Sequence, residues 1–362
     1  MTGRPARVLW LAKGLGRGGA EQLLVNCARH ADRSHYAIEV AYVLPHKDAL
    51  VPALAAAGVP VHCLGGPPGR RWPLRLRALL AERRYDLVHT HMPVPAVAAR
   101  LLGGRRKLVH TEHNLWERYR LPTRWANALT YGRNDAVIAV SHAVAAGIGR
   151  RRPGEGWLTV VHHGPDLGDA PSGPAARRAA RAELGLPEDA LVIGTVGNLT
   201  AKKDQASLLA AFALLRREHP NSRLVLVGSG PLEQRLRQLA GEGVMFAGSR
   251  GDVPRLLPGW DVFCLSSRQE GLPVALMEAM TSGLPSVVTR VGGMPEVLDD
   301  GVEGRSVPPG DPARLALALG ELAADPGLRE RMGAAARERS KSFDVAGAQR
   351  AIERVYARVL AR

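Results

Sequence analysis

Val262-Phe263-Cys264-Leu265-Ser266-Ser267-Arg268-Gln269-Glu270-Gly271-Leu272-Pro273-Val274-Ala275-Leu276-Met277-Glu278-Ala279-Met280 joins a short apolar run, a Gly- and Pro-bearing turn and an apolar helical segment. An apolar run without polar alternation reads as a strand buried on both faces. A strand feeding a helix through a turn is the repeating unit of a parallel α/β sheet. Glu270 and Glu278 stand eight residues apart, just over two helical turns, so the spacing predicts both carboxylates on nearly the same side of one element. A turn that opens a helix presents unpaired N–H groups and the positive end of the helix dipole. The segment therefore offers amides for a diphosphate and carboxylates for hydroxyls, two kinds of group that a sugar nucleotide joins in one molecule.

The same unit recurs on both sides of this stretch. Strands are predicted at 8–12, 38–43, 59–64, 87–90, 108–111, 136–140 and 159–162, with amphipathic helices between them, such as 21–29 and 123–133. The pattern restarts at 191–196, 223–227, 244–247, 262–265, 286–289 and 305–307. The expectation is two doubly wound α/β domains in series, divided near 165/166 within a Pro- and Gly-bearing join at 164–187. Open parallel sheets bind ligands at the carboxyl ends of their strands, so the expected site is a cleft across which the two domains face.

The 362 residues, 46% hydrophobic, suffice for two cores, but with 4% aromatic content stacking cannot dominate recognition. The net charge of +15 is uneven: residues 1–168 hold 24 Lys and Arg against 11 Asp and Glu, while 169–362 hold 25 against 23. A basic first half fits nucleic acid, an anionic membrane surface, a phosphorylated substrate or simply solvated arginine. The segment 70–84, from Arg70 and Arg71 to Arg84, mixes cations with leucines and one Trp, as an interfacial helix or an ordinary surface helix does. Cys27, Cys63 and Cys264 match no metal spacing and read as buried hydrophobes in a reducing compartment. No apolar run reaches the ~18–20 residues of a membrane span, so a cytoplasmic protein is expected, peripheral at the inner membrane face if it meets a bilayer.

Four further motifs follow strands. Lys13-Gly14-Leu15-Gly16-Arg17-Gly18-Gly19-Ala20-Glu21 lets backbone approach a phosphate, although a plain strand-to-helix turn has the same look. It lacks the Gly-x-Gly-x-x-Gly order of dinucleotide binders. Asn198-Leu199-Thr200-Ala201-Lys202-Lys203 holds two of only six lysines in a chain with 43 arginines, which suggests a compact ammonium for a phosphate. Gly228-Ser229-Gly230-Pro231 and Gly248-Ser249-Arg250 are tight turns that could touch a base or ribose, or merely turn. His89, His91, His110 and His113 end adjacent strands; their surroundings lack zinc-like spacing, so structural hydrogen bonds are the ordinary reading.

Together these segments resemble the family 4 retaining glycosyltransferases of the GT-B fold over nearly the whole chain. The likeness is strongest in Glu270-Gly271-Leu272-Pro273, Glu278-Ala279-Met280, Ser282-Gly283-Leu284-Pro285, Val291-Gly292-Gly293-Met294-Pro295-Glu296 and Pro308-Pro309-Gly310-Asp311, supported by Gly18-Gly19-Ala20-Glu21 and Thr111-Glu112-His113. The resemblance implies a Rossmann-like acceptor-side domain at 1–165, to which the helix 345–362 returns, and a Rossmann-like nucleotide-sugar domain at 166–344. It implies that Glu278 holds the donor ribose. Glu270, with the Gly271 and Leu272 amides and Pro273, would hold the transferred sugar. Lys203, aided by Lys202, would neutralise the diphosphate under a Gly18-Gly19 loop contributed by the other domain. Gly228, Ser249 and Arg250 complete the expected donor contacts, and His113 would stand beside the reacting sugar. Asn198 replaces the Arg usual in the family, so Lys203 must carry more of the charge.

The implied reaction moves a hexosyl-type group from a nucleotide diphosphate sugar to a hydroxyl with retention of configuration, and calls for no metal or other cofactor. Lys203, the amides and the helix dipole would stabilise the leaving diphosphate, whose oxygen takes the acceptor proton on the same face. The hydroxyl acceptor would be a lipid-linked saccharide of the cell envelope or a small-molecule glycoside. An inverting GT-B transferase or a nucleotide-sugar epimerase shares this fold. A catalytically dead binder of nucleic acid or anionic surfaces is opposed by the intact Glu270, Glu278 and Lys203, so no nucleic-acid partner is expected.

Overall fold

The computed structural model describes residues 4–66, 71–148, 156–166 and 171–362. Arg70 and residues 167–170 of the predicted join lie outside the described residues. The apolar runs form thirteen strands among the described residues. Seven lie in the first half: β1 (Ala6–Ala12), β2 (Tyr36–Tyr42), β3 (Val61–Cys63), β4 (Leu87–His91), β5 (Lys107–Glu112), β6 (Ala136–Ala139) and β7 (Leu158–Val160). Six follow: β8 (Leu191–Val196), β9 (Ser222–Val227), β10 (Val244–Gly248), β11 (Val262–Leu265), β12 (Ser286–Thr289) and β13 (Gly304–Val307). All pairings are parallel, in the orders β3-β2-β1-β4-β5-β6-β7 and β10-β9-β8-β11-β12-β13. Each order reverses once, between β1 and β4 and between β8 and β11, and such reversals open a crevice at the strand ends.

The chain divides into two compact units, one of residues 1–164 with 345–362 and one of 165–344. The helix Val345–Leu360 joins the first because its apolar side, including Val345, Ile352, Val355, Tyr356 and Val359, shares a core with Val8, Trp10, Leu24 and Val40. Fully burying such a side chain contributes roughly 1.5–3 kcal/mol. Tyr356 adds a polar anchor: it accepts from Trp10 Nε1 at 2.9 Å and meets His89 Nδ1 at 2.5 Å.

One expectation changes, and one alternative left open by the sequence narrows. Cys63 is exposed at the end of short β3, whereas Cys27 and Cys264 are buried as expected. The helix Trp72–Arg83 turns Leu76 and Leu80 into the core, and Arg75 donates to the Leu64 and Gly65 carbonyls at 3.3 and 2.6 Å. Most of its apolar side thus covers the sheet, with Leu74 left exposed. Among the described residues no helix is long and apolar enough to cross a membrane.

Candidate active site

The loops after β8 and β11 leave neighbouring strands at the reversal of the second sheet. They are laced together: Arg268 N donates to Lys202 O at 2.8 Å, and Ser266 Oγ reaches the Lys203 and Asp204 carbonyls at 3.0 and 2.9 Å. The Arg268 guanidinium pairs with Asp204 at 2.8 Å, and Asp204 itself adopts φ 45° at the start of the helix Gln205–Glu218. A left-handed non-glycine residue is costly, and these bonds hold it in place. The result brings Lys203 Nζ to 2.5 Å from Glu270 Oε1, which also accepts from Ser267 Oγ at 2.6 Å. The loop after β12 closes the third side. Gly292 has φ 53°, and a Cβ there would collide with the Glu270 carbonyl, so a side chain is excluded twice over.

The two carboxylates do not share one element. The helix starts at Val274, leaving Glu270 in the preceding loop; the spacing argument failed because Gly271 and Pro273 hold four residues out of the helical repeat. Their environments differ too. Glu270 is buried against an ammonium and a hydroxyl. Glu278 keeps some solvent contact, yet no hydrogen-bond donor or cation among the described residues meets its carboxylate. The surrounding protein withdraws enough water to push its carboxyl up to about 7. Between them the Leu272 N–H finds no acceptor among the described residues, while Gly271 is buried and already engaged.

The remaining predicted donor residues divide. Lys202 and Asn198 are exposed on the β8 loop, where the Asn198 carbonyl accepts from Gln205 Nε2 at 3.1 Å. Gly228 has φ 143° and lies against Gly197 O, where no Cβ fits, so packing of two loops already explains it. Ser249 is exposed beyond edge strand β10. Arg250 is clamped by Asp252 and Glu183, which raise its already high pKa, so its charge is largely answered within the protein. The sequence reading missed Ser267 and the Arg268–Asp204 pair; the signal for Ser267 was a hydroxyl three residues before Glu270 in the turn.

The corresponding reversal of the first sheet is built differently. The loop after β1 ends in half-buried Gly18 and exposed Gly19, which opens the helix Gly19–Arg29. The half-buried Glu21 carboxylate fills the space where a Gly18 side chain would sit, and desolvation raises its pKa. A cavity of about 10 Å³, room for one water, is lined by Trp10, Ala20, Leu23, Leu24, Cys27, Ile352, His89, His91, His113 and His163. Hydrogen bonding favours one tautomer there. Trp10 can only donate to Tyr356 Oη, so the Tyr356 proton goes to His89 Nδ1 and His89 Nε2–H goes to Thr111 Oγ1 at 2.7 Å. His91 Nδ1 lies 3.1 Å from His113 Nε2, and buried His91 Nε2 has no partner. Burial, reinforced by His163 and His110, pushes His113 down to about 3. His163 falls to about 4 and His91 well below the usual imidazole value, again chiefly by burial. These are neutral rings at physiological pH.

Known proteins share both halves. The model described as "Glycosyltransferase Family 4" matches residues 17–169, and that of "Glycosyl transferases group 1" matches 176–339. The chain is 31% identical over 306 residues to the D-inositol 3-phosphate glycosyltransferase of Saccharomonospora viridis, covering 75% of this chain and 69% of that protein. The chain belongs to glycosyltransferase family 4. Among solved structures, Anabaena HepE in complex with UDP-glucose is similar with a TM-score of 0.87 at 24% identity, covering 97% of this chain and 99% of that one. Sucrose-phosphate synthase from Thermosynechococcus elongatus gives 0.83 at 22% identity, covering 98% and 99%. These likenesses show the GT-B fold. In this glycosyltransferase the Glu270–Pro273 segment, one of those that carry the family resemblance, falls on the β11 loop at the sheet reversal.

Proposed function

We propose that this glycosyltransferase moves a hexosyl-type group from a nucleotide diphosphate sugar to a hydroxyl with retention of configuration. The observation that carries the reading is Lys203 held against Glu270 and Ser267 at the β8/β11 reversal, beside the open Leu272 amide. An ammonium and a free N–H answer the charge that grows on a departing diphosphate. Unpartnered Glu278 accepts the ribose hydroxyls, and Glu270, with Gly271, Leu272 and Pro273, holds the transferred sugar. Gly18 and Gly19 supply further backbone to the phosphates, and Lys202 adds charge. HepE carries UDP-glucose in its complex, which supports a nucleotide sugar as donor here.

The bond from the sugar C1 to the diphosphate oxygen breaks, and the acceptor oxygen bonds C1 from the same face. The freed phosphate oxygen takes the acceptor proton. No metal or other cofactor enters the scheme. The two imidazoles that an inverting route would call on as base, His113 and His91, are buried, and burial lowers their basicity, which supports retention. His113 instead serves as a neutral hydrogen-bonding group beside the sugar.

The acceptor is a lipid-linked saccharide of envelope polysaccharide or glycolipid synthesis, reached from the cytoplasmic face of the membrane. The basic first half supports this choice over a soluble glycoside. Nucleotide sugars screened for thermal protection identify the donor, because a ligand bound at 100 times its Kd stabilises by about 2.7 kcal/mol. NMR of the product anomer then tests retention. An inverted product, or no protection by any nucleotide sugar, would overturn the proposal.

A further inference from the structure

Among the most exposed large apolar side chains described, three fall on one helix, Leu121–Thr130: Leu121 at 67%, Trp125 at 67% and Leu129 at 81% exposed. Their i, i+4, i+8 spacing puts them on a single stripe. Asn127 and Thr130, on the other side, are buried and bonded to the buried Arg100 guanidinium at 2.6 and 3.4 Å. Arg100 in turn lies over the Tyr131 ring, so the helix is anchored by polar contacts and its apolar stripe takes no part in holding it. Three cations, Arg120 just before the helix, Arg124 within it and Arg133 in the short turn that follows, are exposed, and none has an acidic partner among the described residues. Glu117 is the one exposed acid of the preceding short helix, Trp116–Arg118.

We infer that the helix Leu121–Thr130 is the surface through which this protein docks on an anionic lipid bilayer. An apolar stripe with a Trp, bordered by unpaired arginines, suits the boundary between acyl chains and negative headgroups. A second copy of the chain fits poorly, because a symmetric contact over this stripe sets Arg120, Arg124 and Arg133 against the same three charges. The helix Trp72–Arg83, suspected from sequence, yields its apolar side to the core and retains only Leu74 outside. The inference deepens the lipid-linked acceptor reading and rests on it for its purpose, but not for its test.

The experiment sediments full-length protein with vesicles of phosphatidylcholine containing 30% phosphatidylglycerol (about 30%, chosen for a surface potential of physiological size). Wild type should co-sediment, and added salt should release much of it. Arg120→Ser with Arg124→Ser and Arg133→Ser should lower the partition coefficient by roughly two orders of magnitude, at about a factor of five per cation. Leu121→Ser with Trp125→Ser and Leu129→Ser should lower it at least about tenfold. The double change Arg71→Ser with Arg77→Ser, on the other helix, should cost far less. All substituted side chains are exposed, so unchanged melting curves and nucleotide-sugar hydrolysis are expected, and a change in either would expose a misfolded variant. Wild type that stays in the supernatant overturns the inference. So does undiminished binding by the apolar triple variant, or a wild-type dimer that the triple variant disperses. Failure of all nucleotide-sugar turnover in wild type would sink the proposed donor chemistry while leaving the vesicle result readable.

Discussion

The two sheets place their reversals at the same topological point and equip them oppositely. At β8/β11 an ammonium, a carboxylate and an open amide lie in loops that solvent partly reaches, and the helix that follows carries a second carboxylate, Glu278. At β1/β4 the side chains are buried imidazoles, a Trp and a Tyr that share protons without carrying charge. The fold thus sets where chemistry can happen, while burial decides whether a charge survives there. A departing diphosphate needs fixed charge. A sugar being positioned needs hydrogen bonds whose strength does not change with pH.

The sharpest way to break this contrast is to remove charge from the charged side. Lys203→Ala should lower kcat by about 10²–10³, the usual loss when one stabilising donor leaves a transition state. It also strips Glu270 of its cation, so Lys203→Arg is the companion: it restores charge but not the compact fit, and should recover part of the rate. Single-turnover assays with the protective nucleotide sugar decide it. Wild-type turnover in Lys203→Ala would remove the phosphate role.

Tyr356→Phe probes the neutral side through stability. The change leaves Trp10 Nε1 and His89 Nδ1 buried without partners, at about 1–3 kcal/mol for each unsatisfied group. The melting temperature should fall, and His89 becomes free to change tautomer. Nitrogen-15 spectra of the labelled histidines would report both outcomes. A variant as stable as wild type would mean that water replaces the lost hydroxyl.

How much of this was legible beforehand follows from the range of the forces involved. Strand positions emerged because buried parallel strands need unbroken apolar runs such as 262–265 and 191–196, a purely local signature. The place of the helix Val345–Leu360 came from family likeness, since its partners Val8 and Trp10 are over 300 residues away. Glu270, Glu278 and Lys203 stood out as candidates, but the Glu270–Lys203 pairing joins two loops through a sheet reversal and left no local trace. The helical-face argument for the two glutamates overran a Gly- and Pro-bearing turn. The hydrogen bonding of His89 and His110 was readable as structural, while His113 was set apart only by family likeness; the single-water cavity that His89 and His113 share with His91 and His163 depends on how the rings pack. Exposed Cys63 shows the same limit: a three-residue edge strand buries little.

Glu278 offers the subtlest test, because it sits on the charged side yet is tuned like the buried one. Its folded pKa of about 7 lies above the usual carboxylate value, so the folded protein holds a proton that the unfolded chain releases. Stability should therefore decline as pH rises from about 4.5 to 7, the penalty being complete above that window. Glu278→Gln removes the ionised group: its melting temperature should match wild type near pH 4 and exceed it at pH 8. Donor affinity should move the other way. The ionised carboxylate is the form that accepts two ribose hydroxyls, so wild-type affinity should weaken as pH falls below about 7. The Gln variant should bind more weakly at high pH and lose that pH dependence. Calorimetric titration at pH 6 and pH 8 reads both, since wild type should also release protons on binding. Equal pH dependence in the two proteins would show that Glu278 is not the group that meets the donor.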